Sequence, residues 1–204
     1  MKCGFLNLLL VATCLSLPAY SFNEPEKPIR GRPQPVMQGE PRLTALKSAE
    51  IDHFYRVTKS LFRGAQPSSK GMWELKTLGV KTLVSLRAGT NDDQGRIGTT
   101  GLTCLNVPLS WNPLRGPKDE SVVQFLKYVT DPANQPVFVH CRQGVDRTGL
   151  MIAAYRIVIE GWNKEQAIAE MQAIGLHSRY FKFENYLRQL DVEKIRQEVR
   201  QPSG

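Results

Sequence analysis

Residues 137–156 read VFVHCRQGVDRTGLMIAAYR. Val137, Phe138 and Val139 form a short apolar run of the kind expected of a strand buried on both faces. Arg147-Thr148-Gly149 opens a second apolar run whose spacing predicts a helix over about 148–160. A strand that ends at His140-Cys141 and a helix that opens beside Arg147 leave residues 141–147 to wrap as one turn. Backbone N–H groups of such a turn, together with the first turn of the helix, converge into a cradle for an anion. Gly144 supplies a backbone dihedral that other residues avoid, and Gly149 allows close packing beneath the turn. The same positive surroundings favour the thiolate of Cys141, the nucleophilic form of cysteine. Arg147 then grips two oxygens of a phosphate in a planar fork that lysine does not offer. A thiolate facing a cradled phosphoryl group points to a cysteinyl-phosphate intermediate that water later hydrolyses. The Thr148 hydroxyl is placed to hydrogen-bond the leaving sulfur in that second step.

Outward from this stretch, strands alternate with helices. Phe54–Val57 and Leu61–Arg63 read as short strands around a Thr58-Lys59-Ser60 turn, and Val80–Leu86 and Cys104–Val107 as two more. A helix is expected from the Ser68-Ser69 cap to Leu78, with Gly79 as its stop. A second is expected after Asp119 or Glu120, either of which serves as its cap. Asn163 and Gln166 resemble a capping box for a helix over 164–174, and a last helix is expected over 181–198. Residues 87–101 read as loop. The pattern predicts an α/β domain with a mostly parallel central sheet flanked by helices, spanning residues 49–200. Ligands of such sheets bind at the carboxyl ends of the strands, where Cys141 lies.

The N-terminus carries Lys2, an apolar stretch from Phe5 to Leu17 and the small residues Ala19 and Ser21. That pattern is an export signal over residues 1–21, cleaved after Ser21, which makes the chain periplasmic or secreted. A lipoprotein anchor at Cys14 is the alternative, and Thr13 fits it poorly. The apolar stretch is too short for a stable membrane span. Residues 22–48, with five prolines and scattered Arg and Lys, read as a mobile arm. A formal charge of +8 favours anionic partners. No helix-turn-helix signature, zinc spacing or aromatic-basic interleaving points to nucleic acid. Outside the leader only Cys104 and Cys141 remain, which excludes a disulfide scaffold and a zinc site.

HCRQGVDRTG is the His-Cys-five-residues-Arg-Thr signature of cysteine-dependent tyrosine and dual-specificity phosphatases. The segments SLFRGAQPS, LGVKTLVSLR, TDPANQPVFVHC, RTGLMIAAYRIVIEGW and EQAIAEM also resemble bacterial dual-specificity-type phosphatases, over roughly residues 52–190. The resemblance implies one phosphatase domain, no metal and no cofactor, with Cys141 and Arg147 in the roles derived above. It also implies that His140 hydrogen-bonds the loop and that Arg63 and Gln66 support the site. His53 and His177 carry no assigned role.

Typical members take a general acid from an upstream loop, here residues 107–120. The expected position carries Ser110, Trp111 and Asn112, none of them acidic. Three alternatives are open. Asp146 lies within the cradle itself, and Gly-x-Asp-Arg-Thr resembles the loop of myotubularin-type and Sac-type phosphoinositide phosphatases. Like-charge repulsion from bound phosphate would raise its pKa toward that of an acid; orienting Arg147 or capping the helix is the plainer role. Asp119 lies on the upstream loop, where helix capping is the plainer explanation. Asp92 and Asp93 lie in the loop after VSLR.

Arg142, Gln143, Gly144 and Val145 line the substrate side, and Arg142 at the rim favours a highly anionic substrate. Trp111 either packs or stacks on an aromatic ring. Cys104 is expected as core packing, with a protective disulfide to Cys141 as the alternative. The expected activity is hydrolysis of phosphate monoesters on protein tyrosine, serine or threonine. A phosphoinositide or inositol-phosphate phosphatase, a rhodanese-like sulfur transferase and a phosphate-binding module without turnover are the rivals. The expected partner is thus a phosphorylated protein or an anionic phosphorylated small molecule or lipid.

Overall fold

The computed structural model describes residues 43–88, 92–110, 112 and 116–201. The stretch expected as an export signal, most of the span expected as an arm and Trp111 lie outside the described residues. Six strands form one sheet in the order β1-β2-β3-β6-β4-β5. They are β1 (Thr44–Ala45), β2 (Tyr55–Arg56), β3 (Leu61–Gly64), β4 (Thr82–Arg87), β5 (Thr103–Leu109) and β6 (Val137–His140). Pairings β3–β6, β6–β4 and β4–β5 are parallel, and the edge pairings β1–β2 and β2–β3 are antiparallel. The expected α/β class and mostly parallel sheet are what the chain adopts. Strand β1 lies inside the span read as an arm, so the described domain begins at its edge strand.

Seven helices flank the sheet among the described residues. They are α1 (Ser69–Thr77), α2 (Asp92–Ile97), α3 (Asp119–Thr130), α4 (Asp146–Val158), α5 (Lys164–Ala173), α6 (Phe181–Gln189) and α7 (Val192–Arg200), with a 3-10 turn at Ser178–Tyr180. The two-residue period of β6 divides the core. Val137, Val139 and Cys141 join the apolar cluster formed with α3–α7, while Phe138 faces Phe54, Met72 and Leu75 on the α1 side. In β3, Leu61 joins the first cluster and Phe62 the second, so Arg63 shares a face with Leu61 and Cys141.

Several details differ from expectation, beginning with α4, which opens at Asp146 rather than near residue 148 and so takes Asp146 and Arg147 out of the turn. Residues 92–97 form a short helix where the sequence reads as loop, because DDQGRI has no apolar period to announce it. The helix expected over 181–198 is two: Leu190 adopts an extended ψ, and Asp191 caps α7 by accepting from the Lys194 N–H. The cap of α3 is Lys118 and makes no side-chain bond, so neither Asp119 nor Glu120 is the cap; both sit in the first turn, where the helix dipole favours them. Asn163 caps α5 through the Glu165 N–H rather than through a capping box with Gln166.

Candidate active site

β6 delivers Cys141, 3% exposed, to the carboxyl edge of the sheet, and α4 begins five residues later. Gly144 has a φ of +72°, and a Cβ there would lie 2.3 Å from the Gly64 carbonyl carbon and 2.4 Å from the Ala65 nitrogen. The loop therefore rests directly on the backbone leaving β3, and only glycine fits at that contact.

Four consecutive loop carbonyls are held from outside. The Cys141 carbonyl accepts from His140 Nδ1 at 3.3 Å and the Arg142 carbonyl from the Gln66 backbone N–H at 3.3 Å. The Gln143 carbonyl accepts from His53 Nδ1 at 2.9 Å, and the Gly144 carbonyl from an Arg63 guanidinium nitrogen at 2.6 Å. A planar trans peptide points its C=O and the next N–H in opposite directions. Anchoring these carbonyls outward turns the N–H groups of Arg142, Gln143, Gly144 and Val145 toward the concave side. Among the described residues none of the four donates to a backbone carbonyl. This is the anion cradle in atomic terms.

Two of the anchors are fully buried. Burial lowers the Arg63 guanidinium to about 10, with the nearby Cys141 opposing the shift, so it stays charged at neutral pH. Burial also holds the His140 imidazole below its usual value, with Asp93 opposing. His140 is therefore neutral at pH 7 and carries its proton on Nδ1, the nitrogen facing a carbonyl. Its ring stacks on Phe138 at 5.9 Å.

Arg147 and Thr148 lie in the first turn of α4. The Arg147 guanidinium reaches the Leu86 carbonyl at the end of β4, 3.4 Å away, and meets no carboxylate among the described residues. The Thr148 hydroxyl is fully buried and has no hydrogen-bond partner among the described residues. Asp146, 6% exposed, accepts from the His177 backbone N–H at 3.0 Å and from His177 Nδ1 at 2.9 Å. His177 thus stands beside the loop although no local pattern marks it. A cavity of about 430 Å³ opens next to the loop, lined by residues that include His53, Arg142, Gln143, Val145 and His177.

The other carboxylates are placed differently. Asp93 is buried, accepts from Gln66 Nε2 at 2.9 Å and lies 3.4 Å from His140 Nε2, a contact without hydrogen-bond geometry. Gln66 in turn accepts from Arg87 at 2.6 Å, so Asp93 belongs to the packing behind the loop. Asp119 accepts from the Tyr186 hydroxyl at 2.9 Å and from Lys194 Nζ at 2.7 Å, tying α3 to α6 and α7. The Lys194 hydrogen bond holds its carboxyl below the usual carboxylate value. A carboxylate depressed in the folded state contributes stability above its unfolded pKa and loses it as pH falls through the folded one. Asp119→Asn is expected to lower the Tm above about pH 4, with the difference from wild type closing at lower pH and kcat staying within about twofold. Thermal melts at several pH values beside a turnover assay check both parts.

Cys104 is only partly buried, and burial pushes its thiol up to about 11. Both Cys104 and Cys141 are free, so the alternative disulfide is absent from this structure.

The family described as "DSP-PTPase phosphatase fused to NAD+ Kinase" matches residues 41–189. The chain belongs to the DSP-PTPase phosphatase family. The dual specificity protein phosphatase TpbA of Pseudomonas aeruginosa is 33% identical over 147 residues, which are 71% of this chain and 65% of TpbA. The chain thus spans just under two thirds of that relative's length. A crystal structure of a cysteine-to-serine TpbA variant with phosphotyrosine superposes with a TM-score of 0.69 at 29% identity, covering 81% of this chain and 100% of the other. Inositol diphosphatase DSP3 of Arabidopsis thaliana is 25% identical over 162 residues, 73% of this chain and 75% of the relative.

Proposed function

We propose that this DSP-PTPase member is an exported cysteine-dependent phosphatase that hydrolyses phosphate monoesters on protein side chains. The observation that carries the reading is the convergence of four inward N–H groups, Cys141 and the first turn of α4 on one concavity. The phosphoryl oxygens sit against those N–H groups and the Arg147 fork. The Cys141 thiolate attacks phosphorus, the bond to the leaving oxygen breaks, and that oxygen takes a proton. Water then attacks the cysteinyl phosphate, the P–S bond breaks with the Thr148 hydroxyl available to the sulfur, and inorganic phosphate leaves.

For the proton we assign Asp146, with His177 at its carboxylate as the group that resupplies it. Asp119 is held by Lys194 and Tyr186, and Asp93 is tied to Gln66 behind the loop; Asp146 opens α4 directly after the loop and beside Arg147, with His177 as its partner. Asp146→Asn is expected to cut kcat about 100-fold on phosphotyrosine peptides, whose leaving group needs a proton. On an activated aryl phosphate with an acidic phenol the same variant should lose less than about fivefold. Equal losses on both substrates would remove Asp146 from the proton transfer.

Phosphotyrosine bound to the TpbA variant supports a phosphoprotein substrate. A second reading, an inositol-phosphate or phosphoinositide phosphatase, is favoured by Arg142 on the 430 Å³ cavity and by the named activity of the Arabidopsis relative. Steady-state kcat/KM on phosphotyrosine, phosphoserine and phosphothreonine peptides beside soluble inositol phosphates separates the two. A tenfold or greater preference for the inositol phosphates would replace the first reading with the second. Export rests on the leader pattern, and the mature N-terminus of protein recovered outside the cytoplasm should be Phe22.

A further inference from the structure

We propose that His53 is a positioning residue of the catalytic loop, acting on the Gly144 N–H through the Gln143 carbonyl. The proposal rests on the phosphatase reading of that loop. Three of the four outward anchors come from buried side chains or from backbone: His140, Arg63 and the Gln66 N–H. His53 is the exception, an exposed side chain that reaches the loop from 90 residues away. It is also the one non-glycine residue with a positive φ among the described residues, at +49°. That conformation is uncommon for a residue other than glycine, although histidine adopts it more readily than most, and it is kept where surrounding structure holds it.

The surroundings do so here. The Asp52 carbonyl accepts from the Ala65 N–H at 2.8 Å, and the Phe54 carbonyl accepts from the Leu46 N–H at 2.9 Å. Ile51 and Phe54 on either side are buried, both 3% exposed. His53 is thus the apex of a turn pinned at both flanks, and its ring is carried onto the Gln143 carbonyl. Because a carbonyl only accepts, Nδ1 must bear the proton. With the carbonyl held outward, the Gly144 N–H is fixed toward the phosphate rather than free to rotate away. Gly144 is the very residue that lies against the β3 backbone, so its peptide has no side chain of its own to fix it.

The test uses residues 22–204 carrying His53→Gly, His53→Ala or His53→Asn, with kcat/KM on a phosphotyrosine peptide, the inhibition constant of inorganic phosphate and the Tm. Glycine tolerates the positive φ and removes the donor. His53→Gly should therefore keep or raise the Tm, lower kcat/KM by about tenfold and weaken phosphate binding by at least about threefold. His53→Ala should show the same functional losses with a lower Tm. Asparagine accepts this φ and offers an amide N–H, so His53→Asn should recover most of the lost kcat/KM. A purely structural role for His53 would make activity follow the Tm across the three variants. Activity of His53→Gly within twofold of wild type, or no recovery in His53→Asn, would overturn the proposal while leaving the phosphatase reading intact. Absence of turnover in the wild type would count against the phosphatase reading instead, and phosphate affinity measured by calorimetry would still decide the role of His53.

Discussion

Cys141→Ser should reduce phosphate release by about four orders of magnitude or more while leaving the fold and phosphate binding in place. The reasoning follows from geometry. Cys141 follows β6 directly, and replacing its sulfur by oxygen removes little volume from a residue that is 3% exposed. The cradle is built from carbonyl anchors that do not involve the cysteine side chain, so the variant should still bind phosphotyrosine. What disappears is the sulfur nucleophile, since a serine hydroxyl without an adjacent base is a far weaker one. A turnover assay on a small aryl phosphate, beside calorimetric binding of phosphotyrosine to the variant, checks both halves. Residual turnover above about 1% of wild type would show that another group attacks phosphorus.

Gly144→Ala should produce the largest effect of any change that removes no reacting group. The added Cβ would meet the Gly64 carbonyl carbon at 2.3 Å, the Ala65 nitrogen at 2.4 Å and the Gly64 carbonyl oxygen at 2.5 Å. Those are backbone atoms of the segment leaving a central strand, and they have no side-chain freedom with which to yield. The φ of +72° adds a second penalty. Overpacking and the left-handed backbone together amount to about 3 kcal/mol. In a domain of this size that is a fall in Tm of roughly 6–12 °C. The loop must also lift from β3, which withdraws the Arg63 and His53 anchors at once, so kcat/KM should fall at least about 100-fold. Gly79→Ala is the control. Its φ is +84°, but nothing lies within 4 Å of the added Cβ. It should cost about 1 kcal/mol and leave activity unchanged. Equal activity in the two variants would mean that contact with β3 does not hold the loop.

How much of this was legible in the sequence depends on how local each feature is. The strand, the turn and the first turn of α4 are encoded within Val137–Gly149, and reading them required no other part of the chain. Gly144 was legible as a special backbone position, though not that it presses on Gly64. Arg63 and Gln66 were recognisable near the site, but their tasks follow from β3 lying beside β6, a pairing across more than seventy residues that no local pattern specifies. His53 and His177 gave no signal, because a histidine on a turn looks the same whether or not a loop carbonyl or carboxylate lies opposite. In the sequence Asp93 is a loop residue and, with Asp92, one of the candidate acids; its burial depends on a helix without apolar period, held where Gln66 and His140 meet it. Asp119 was weighed as an acid from its place in the chain, and its engagement by α6 and α7 became visible only once those helices were packed.

The central claim is that phosphate passes through a covalent bond to Cys141. The most direct test mixes residues 22–204 with a small aryl phosphate, quenches in acid within milliseconds and maps the peptides by mass spectrometry. The account predicts one phosphoryl group on the peptide containing Cys141, appearing before steady-state phosphate release and absent from Cys141→Ser. Phosphate released at the full rate with no phosphoryl group on Cys141 at any quench time would contradict it.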